Sequence, residues 1–94
     1  MATSTVTVNT VSDDTRTFAL EVRVNDGATE TTHQVTLGRD LLARVAPGES
    51  AEDFTRRAFA FLLEREPKES ILRRFDAAVI GQYFPEFEAT MRRR

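Results

Sequence analysis

Six of the seven phenylalanines in this 94-residue chain, and its only tyrosine, fall between Ser50 and Glu88, interleaved with arginine and glutamate at helical spacing. Aromatic side chains at that density need a packed layer of helices, and such a layer needs a second one to cover it. The second layer is legible upstream. From Arg16 to Asn25 the chain alternates, with Phe18, Leu20, Val22 and Val24 on one side and Thr17, Ala19, Glu21 and Arg23 on the other. That is the period of a half-buried strand. The expected fold is α+β: a small N-terminal antiparallel sheet of two or three strands, followed by two or three packed helices.

Asp26-Gly27 closes the alternating run, and a two-residue loop there predicts a hairpin. In that register Val24 faces Thr29, Val22 faces Thr31, Leu20 faces His33, Phe18 faces Val35, and Arg23 lies across from Glu30. A weaker alternation from Thr3 to Val11 reads either as an edge strand or as a flexible arm. As a strand it would set Val8 against Phe18 and Val6 against Leu20 through an odd loop or a bulge. Ninety-four residues make one domain: 1–15 the edge strand or arm, 16–37 the hairpin, and 40–92 the helical part.

Asp40 is placed to cap a short helical turn through Leu41, Leu42 and Val45, which Pro47-Gly48 ends. Ser50, with Glu52 and Asp53 behind it, predicts the N-cap of a central helix running to about Glu66. Phe54, Ala58, Phe61 and Leu62 share one face of it, widened by Phe59 and Leu63. Pro67 predicts a new helix carrying Ile71, Leu72, Phe75, Val79 and Tyr83 on one face. Ile80, Phe84 and Phe87 fall on a second face, so a break is expected near Asp76, Gly81 or Pro85, with a last short helix opened by Pro85 and ending in Met91 and Arg92-Arg93-Arg94.

The chemistry is sparse. The chain has no cysteine, which removes disulfides, thiolate metal sites and cysteine nucleophiles. No apolar run approaches the roughly 20 residues that span a bilayer. The N-terminal residues lack the pattern of a signal peptide, so a cytosolic protein is expected. A net charge of −2 argues against a dedicated nucleic-acid binder. Lys68 is the only lysine beside twelve arginines. His33, the only histidine, has no second histidine to complete a site and is expected to be structural. No catalytic, cofactor-binding or metal-binding residue is assigned, and no cofactor is expected.

The charged residues of the helices are expected to pair as Glu52 with Arg56, Asp53 with Arg57, Glu69 with Arg73, and Glu88 with Arg92. Arg65 lies in line with Phe54 and Ala58, so its stem should cover apolar surface, with Glu69 or Asp76 as candidate partners.

The block Phe61-Leu62-Leu63-Glu64-Arg65-Glu66-Pro67-Lys68-Glu69-Ser70-Ile71-Leu72-Arg73-Arg74-Phe75-Asp76, continued by Val79-Ile80 and Tyr83-Phe84-Pro85-Glu86, resembles a family of small bacterial proteins with no assigned activity. The resemblance covers the last three-quarters of the chain and implies a bacterial, cytosolic origin. It brings no site residue with it.

The leading functional expectation is a non-enzymatic protein–protein interaction or regulatory module, with another protein or a second copy of the chain as partner. Arg73, Arg74, Ile80, Phe84 and Phe87 are the candidate contact residues. The alternative is a nucleic-acid-associated regulator using Arg73, Arg74 and the C-terminal Arg92-Arg93-Arg94.

Overall fold

A computed structural model describes residues 4–93; Thr3 and Arg94, which the readings above touch, lie outside the described residues. The fold is α+β, with four strands and four short helices among those residues: β1 (Thr5–Asp13), β2 (Thr17–Asn25), β3 (Glu30–Gly38), α1 (Arg39–Val45), α2 (Ala51–Leu63), β4 (Arg74–Asp76), α3 (Ala78–Tyr83) and α4 (Phe87–Arg92). One mixed sheet runs in the order β1-β2-β3-β4. Its inner face carries Val8, Leu20, Val22, Val24, Thr31, His33, Val35 and Leu37, all buried. The outer face is polar and uncovered.

The β2–β3 hairpin keeps the expected faces but shifts its register by two residues. Asn25 pairs with Glu30, Val24 with Thr31, Val22 with His33, and Arg23 with Thr32 rather than Glu30. The cause is local. A two-residue type I′ loop requires positive φ at both Asp26 and Gly27, and only Gly27 adopts it, at 93°. Asp26 instead accepts the N–H groups of Ala28 and Thr29 on Oδ1, each at 2.9 Å, and so closes a wider loop. A shift of two preserves the period of a strand, which is why the core face survives. Arg23 pairs with Glu21 on its own strand.

Residues 5–13 are a strand, the outermost of the sheet. Val8 opposes Val22 and Val6 opposes Val24, four positions from the expected register, with a bulge between Thr10 and Ser12. Asp14 turns the chain back by accepting the N–H groups of Arg16 and Thr17 at 2.8 Å. At the start of α1 the N-cap is Gly38, and Asp40 sits inside the first turn instead of capping it.

Ser50 caps α2 as its sequence implies, its Oγ accepting the Asp53 N–H at 3.1 Å. The helix ends at Leu63, a turn earlier than expected. Beyond it the long helix predicted from Pro67 is replaced. Lys68–Ser70 form a 3-10 turn, and Arg74–Asp76 become β4, parallel to β3. Ile71, Phe75, Val79 and Tyr83 recur every four residues, a spacing that fits a helix and is also a multiple of the strand period of two. The open edge of β3 decides between them. Gln34 donates its N–H to the Arg73 carbonyl at 2.7 Å, and Ala77 donates to Thr36 at 2.8 Å. Unpaired edge groups outweigh local helical preference here.

The chain then bends at Pro85 and folds back on α2. Phe87 is 1% exposed. Its ring meets Phe61 at 5.2 Å and Phe54 at 6.3 Å, and Phe84 meets Phe61 edge-on at 5.8 Å. Arg57 reaches from α2 to both oxygens of Glu49 and to the Met91 carbonyl, tying the loop before α2 to the end of α4.

Candidate functional site

The substitution of a strand for a helix leaves a groove. Between the end of α2, the segment from Ser70 to Phe75, and α3 lies an open apolar hollow of about 290 Å³. Leu62 supplies its α2 wall, Ile71, Leu72 and Phe75 its strand wall, and Val79, Ile80 and Tyr83 its α3 wall, with Phe84 at the end. Leu72 is 51% exposed and Tyr83 69%, both large for free surface. The polar contribution comes from Glu66 and Ser70. A hollow at the small end of ligand-pocket sizes, open to solvent, fits one or two apolar side chains better than it encloses a small molecule.

The strand wall and the end of α2 are each held by a specific contact. His33 is fully buried on β3, with its ring 5.2 Å from that of Phe59. Its Nδ1 lies 2.8 Å from the Leu72 carbonyl and its Nε2 lies 2.8 Å from the Thr31 hydroxyl. A carbonyl only accepts, so Nδ1 carries the proton, and in the neutral ring Nε2 accepts from Thr31. Burial pushes the His33 pKa below its ordinary value; the Leu72 carbonyl opposes that shift and the charge of Arg73 adds to it. The histidine therefore works as a neutral clamp on the groove's strand wall.

At the other end Arg65 stacks over Phe61 at 3.6 Å and donates to the Phe61 carbonyl at 3.0 Å. Its carboxylate partners are Glu86 and Glu64, not Glu69 or Asp76. The stack buries the stem while the charge stays at the helix end.

Lys68 was legible only as the sole lysine. It is 3% exposed, and its Nζ donates to Asp26 Oδ2 at 2.7 Å, to Thr29 Oγ1 at 2.6 Å, and to Glu69. The hydrogen bond from Lys68, then the N–H groups of Thr29 and Ala28, hold the Asp26 carboxyl far below the usual range. Asp26 and Glu69 in turn raise the Lys68 ammonium. This pinned cluster fixes the turn that leads into the groove against the β2–β3 loop. No local pattern announces it, because its members are about forty positions apart.

Of the five residues expected at a partner contact, Ile80 and Phe87 are buried and Phe84 is half-buried. Phe87 is therefore core rather than surface. Arg73 and Arg74 are exposed beside Leu72, and neither makes an ion pair or a side-chain hydrogen bond among the described residues. Arg92 is held by Glu88 at 3.6 Å, the one expected helical pair that forms as read. Asp53 pairs with Arg56 instead of Arg57, Glu69 with Lys68 instead of Arg73, and the Glu52 carboxylate reaches from α2 to Thr10 on β1 instead of to Arg56.

Among the described residues no cluster of three or more His, Asp or Glu is placed to hold a metal ion, and no helix is long and apolar enough to cross a membrane. Comparison with protein-family models, curated proteins and solved structures finds no match. The geometry of the groove therefore carries the functional reading.

Proposed function

We propose that the protein is a non-enzymatic binding module that receives an apolar segment of a partner protein in the groove between α2, the Ile71–Phe75 run and α3. One observation carries the reading: Leu72 and Tyr83 stand exposed on either side of an apolar hollow, while the other large apolar side chains among the described residues, Val11 apart, are buried or half-buried. Arg73 and Arg74, without carboxylate partners among the described residues, add a basic border, so the partner segment would combine apolar anchors with acidic flanks.

The test compares the intact chain with a Leu72→Asp, Tyr83→Ser variant in affinity capture from native cytosol. Both positions are exposed, so the variant should keep its melting behaviour within about 0.5 kcal/mol. A partner held by the wild type and lost by the variant is the expected result. A partner retained equally by both would place binding elsewhere.

The unpaired state of Arg73 and Arg74 also favours a second reading, phosphate contact with nucleic acid. Its signature would be retardation of DNA or RNA that collapses steeply with added salt and is lost in Arg73→Ala, Arg74→Ala. The engagement of Arg92 by Glu88 narrows the basic surface on which that reading depends.

A further inference from the structure

His33 is the only histidine, the side chain whose charge changes near neutral pH, and its surroundings are lopsided. Val22 opposes it on β2, Thr31 lies two residues away on β3, and the Phe59 ring packs on it from α2. On the remaining side its Nδ1 meets the Leu72 carbonyl, and Leu72 is itself 51% exposed. A single segment of chain therefore separates the ring from water.

That segment, residues 71–77, is lightly held. Its strand β4 pairs with β3 over three residues, against nine for β2 with β3. Two backbone bonds flank it, from the Gln34 N–H to the Arg73 carbonyl at 2.7 Å and from the Ala77 N–H to the Thr36 carbonyl at 2.8 Å. Only Ile71 and Ala77 within it are buried. So short a ladder at a sheet edge opens at less cost than the central one.

A second proton on the ring would meet no compensating charge. Nδ1 would still donate to Leu72, and the Thr31 hydroxyl can turn to accept from Nε2, so the hydrogen bonds survive. The charge is the difficulty. Val22, Thr31 and Phe59 are neutral, and the charged group that acts on the ring is Arg73, a cation. Among the described residues no carboxylate bonds to the ring. A buried imidazolium without water or a counter-charge is costly. The nearest relief is to move the segment that carries both the Leu72 carbonyl and Arg73, which admits water and leaves β1, β2 and β3 paired.

We propose that His33 is a proton-operated catch on the groove: protonation of its ring favours a state in which residues 71–77 have lifted from β3 while the other three strands stay paired. The segment supplies Ile71, Leu72 and Phe75 to the groove, so the lifted state lacks that wall. The consequence for binding rests on the groove being a docking site. A partner that needs this wall in place and a proton that needs it lifted oppose one another. The catch itself belongs to the unliganded chain.

Amide hydrogen exchange of the intact chain at pH 7.5 and 5.5 tests it, read as protection factors so that the intrinsic pH dependence of exchange divides out. The Gln34 and Ala77 amides should be protected, yet open more readily than those of Leu20, Val22 and Val24 in the central strand. The lifted state takes up a proton more readily than the closed one. Protection at Gln34 and Ala77 should therefore fall by up to about tenfold at the lower pH. His33→Gln keeps an amide donor for the Leu72 carbonyl but does not titrate, and should abolish the fall. The docking reading fails separately, on a partner captured equally by the Leu72→Asp, Tyr83→Ser variant, a result that touches none of these amides. Gln34 and Ala77 amides that open only together with those of β2 would overturn the catch. So would protection equal at the two pH values, or a fall that persists in His33→Gln.

Discussion

His33 spans from β3 to the carbonyl of Leu72 across the inside of the domain, and its protonation state matters to that bridge. Its ordinary pKa is 6.5, and burial lowers it in the folded chain. The unfolded chain thus takes up the proton at higher pH than the folded one. Stability from the neutral ring is complete above 6.5 and is lost as pH falls from there through the folded value. Urea unfolding at pH 7.5 and 5.5 should show the wild type weaker at the lower pH, with the His33 ring titrating below 6.5 by NMR. His33→Leu should remove this pH dependence and cost about 1–3 kcal/mol at pH 7.5, because Thr31 and the Leu72 carbonyl lose their partner. A ring that titrates at or above 6.5 would contradict the clamp. The carboxylates held low by their partners, Asp14, Asp26, Glu69 and Glu88, act in a separate window, below their ordinary 3.8 or 4.5. At the start of α2, Ser50→Ala should cost about 1 kcal/mol, read as a lower denaturation midpoint, since the Asp53 N–H loses its acceptor.

Among the elements, the 3-10 turn at Lys68–Ser70 and the β2–β3 loop are tied together by the Lys68 ammonium, with a longer contact from the Thr29 hydroxyl to Glu69 at 3.5 Å. Lys68→Met keeps the length and apolar stem but removes the donor. The Asp26 carboxyl should then titrate nearer its ordinary 3.8, and the amides of Ala28 and Thr29 should exchange faster. An unchanged Asp26 titration would show that the loop amides alone hold it. The faces of β2 and β3, the α2 cap and the helical aromatic layer were legible because each is set by neighbours within a few positions. The hairpin register was not, since the choice between a two-residue and a wider loop turns on whether Asp26 adopts positive φ or spends its carboxylate on the loop. The groove was legible only as an excess of aromatic and aliphatic residues. Its strand wall exists because β3 has an edge to satisfy, and a spacing of four cannot say which period will win.

At the scale of the molecule, the sheet has two unlike ends. One is a long strand whose only charged residue is Asp13 at its end; the other is a short strand in one wall of the groove. The buried layer between them packs Phe54, Phe59, Phe61 and Phe87 around α2, and the fold back at Pro85 completes it. Phe87→Ala should therefore cost about 3–5 kcal/mol, whereas Leu72→Ala should be nearly silent in thermal melting and felt only in partner capture.

The groove, and the functional reading built on it, stands on Arg74–Asp76 pairing as a strand along β3. Proton NMR of the intact chain addresses that directly. The structure predicts slow exchange of the Gln34 and Ala77 amides and inter-strand contacts from Phe75 to the neighbours of Val35. A ladder of contacts between residues three apart from Ile71 to Ala77, with an unprotected Gln34 amide, would mean a helix there and no groove.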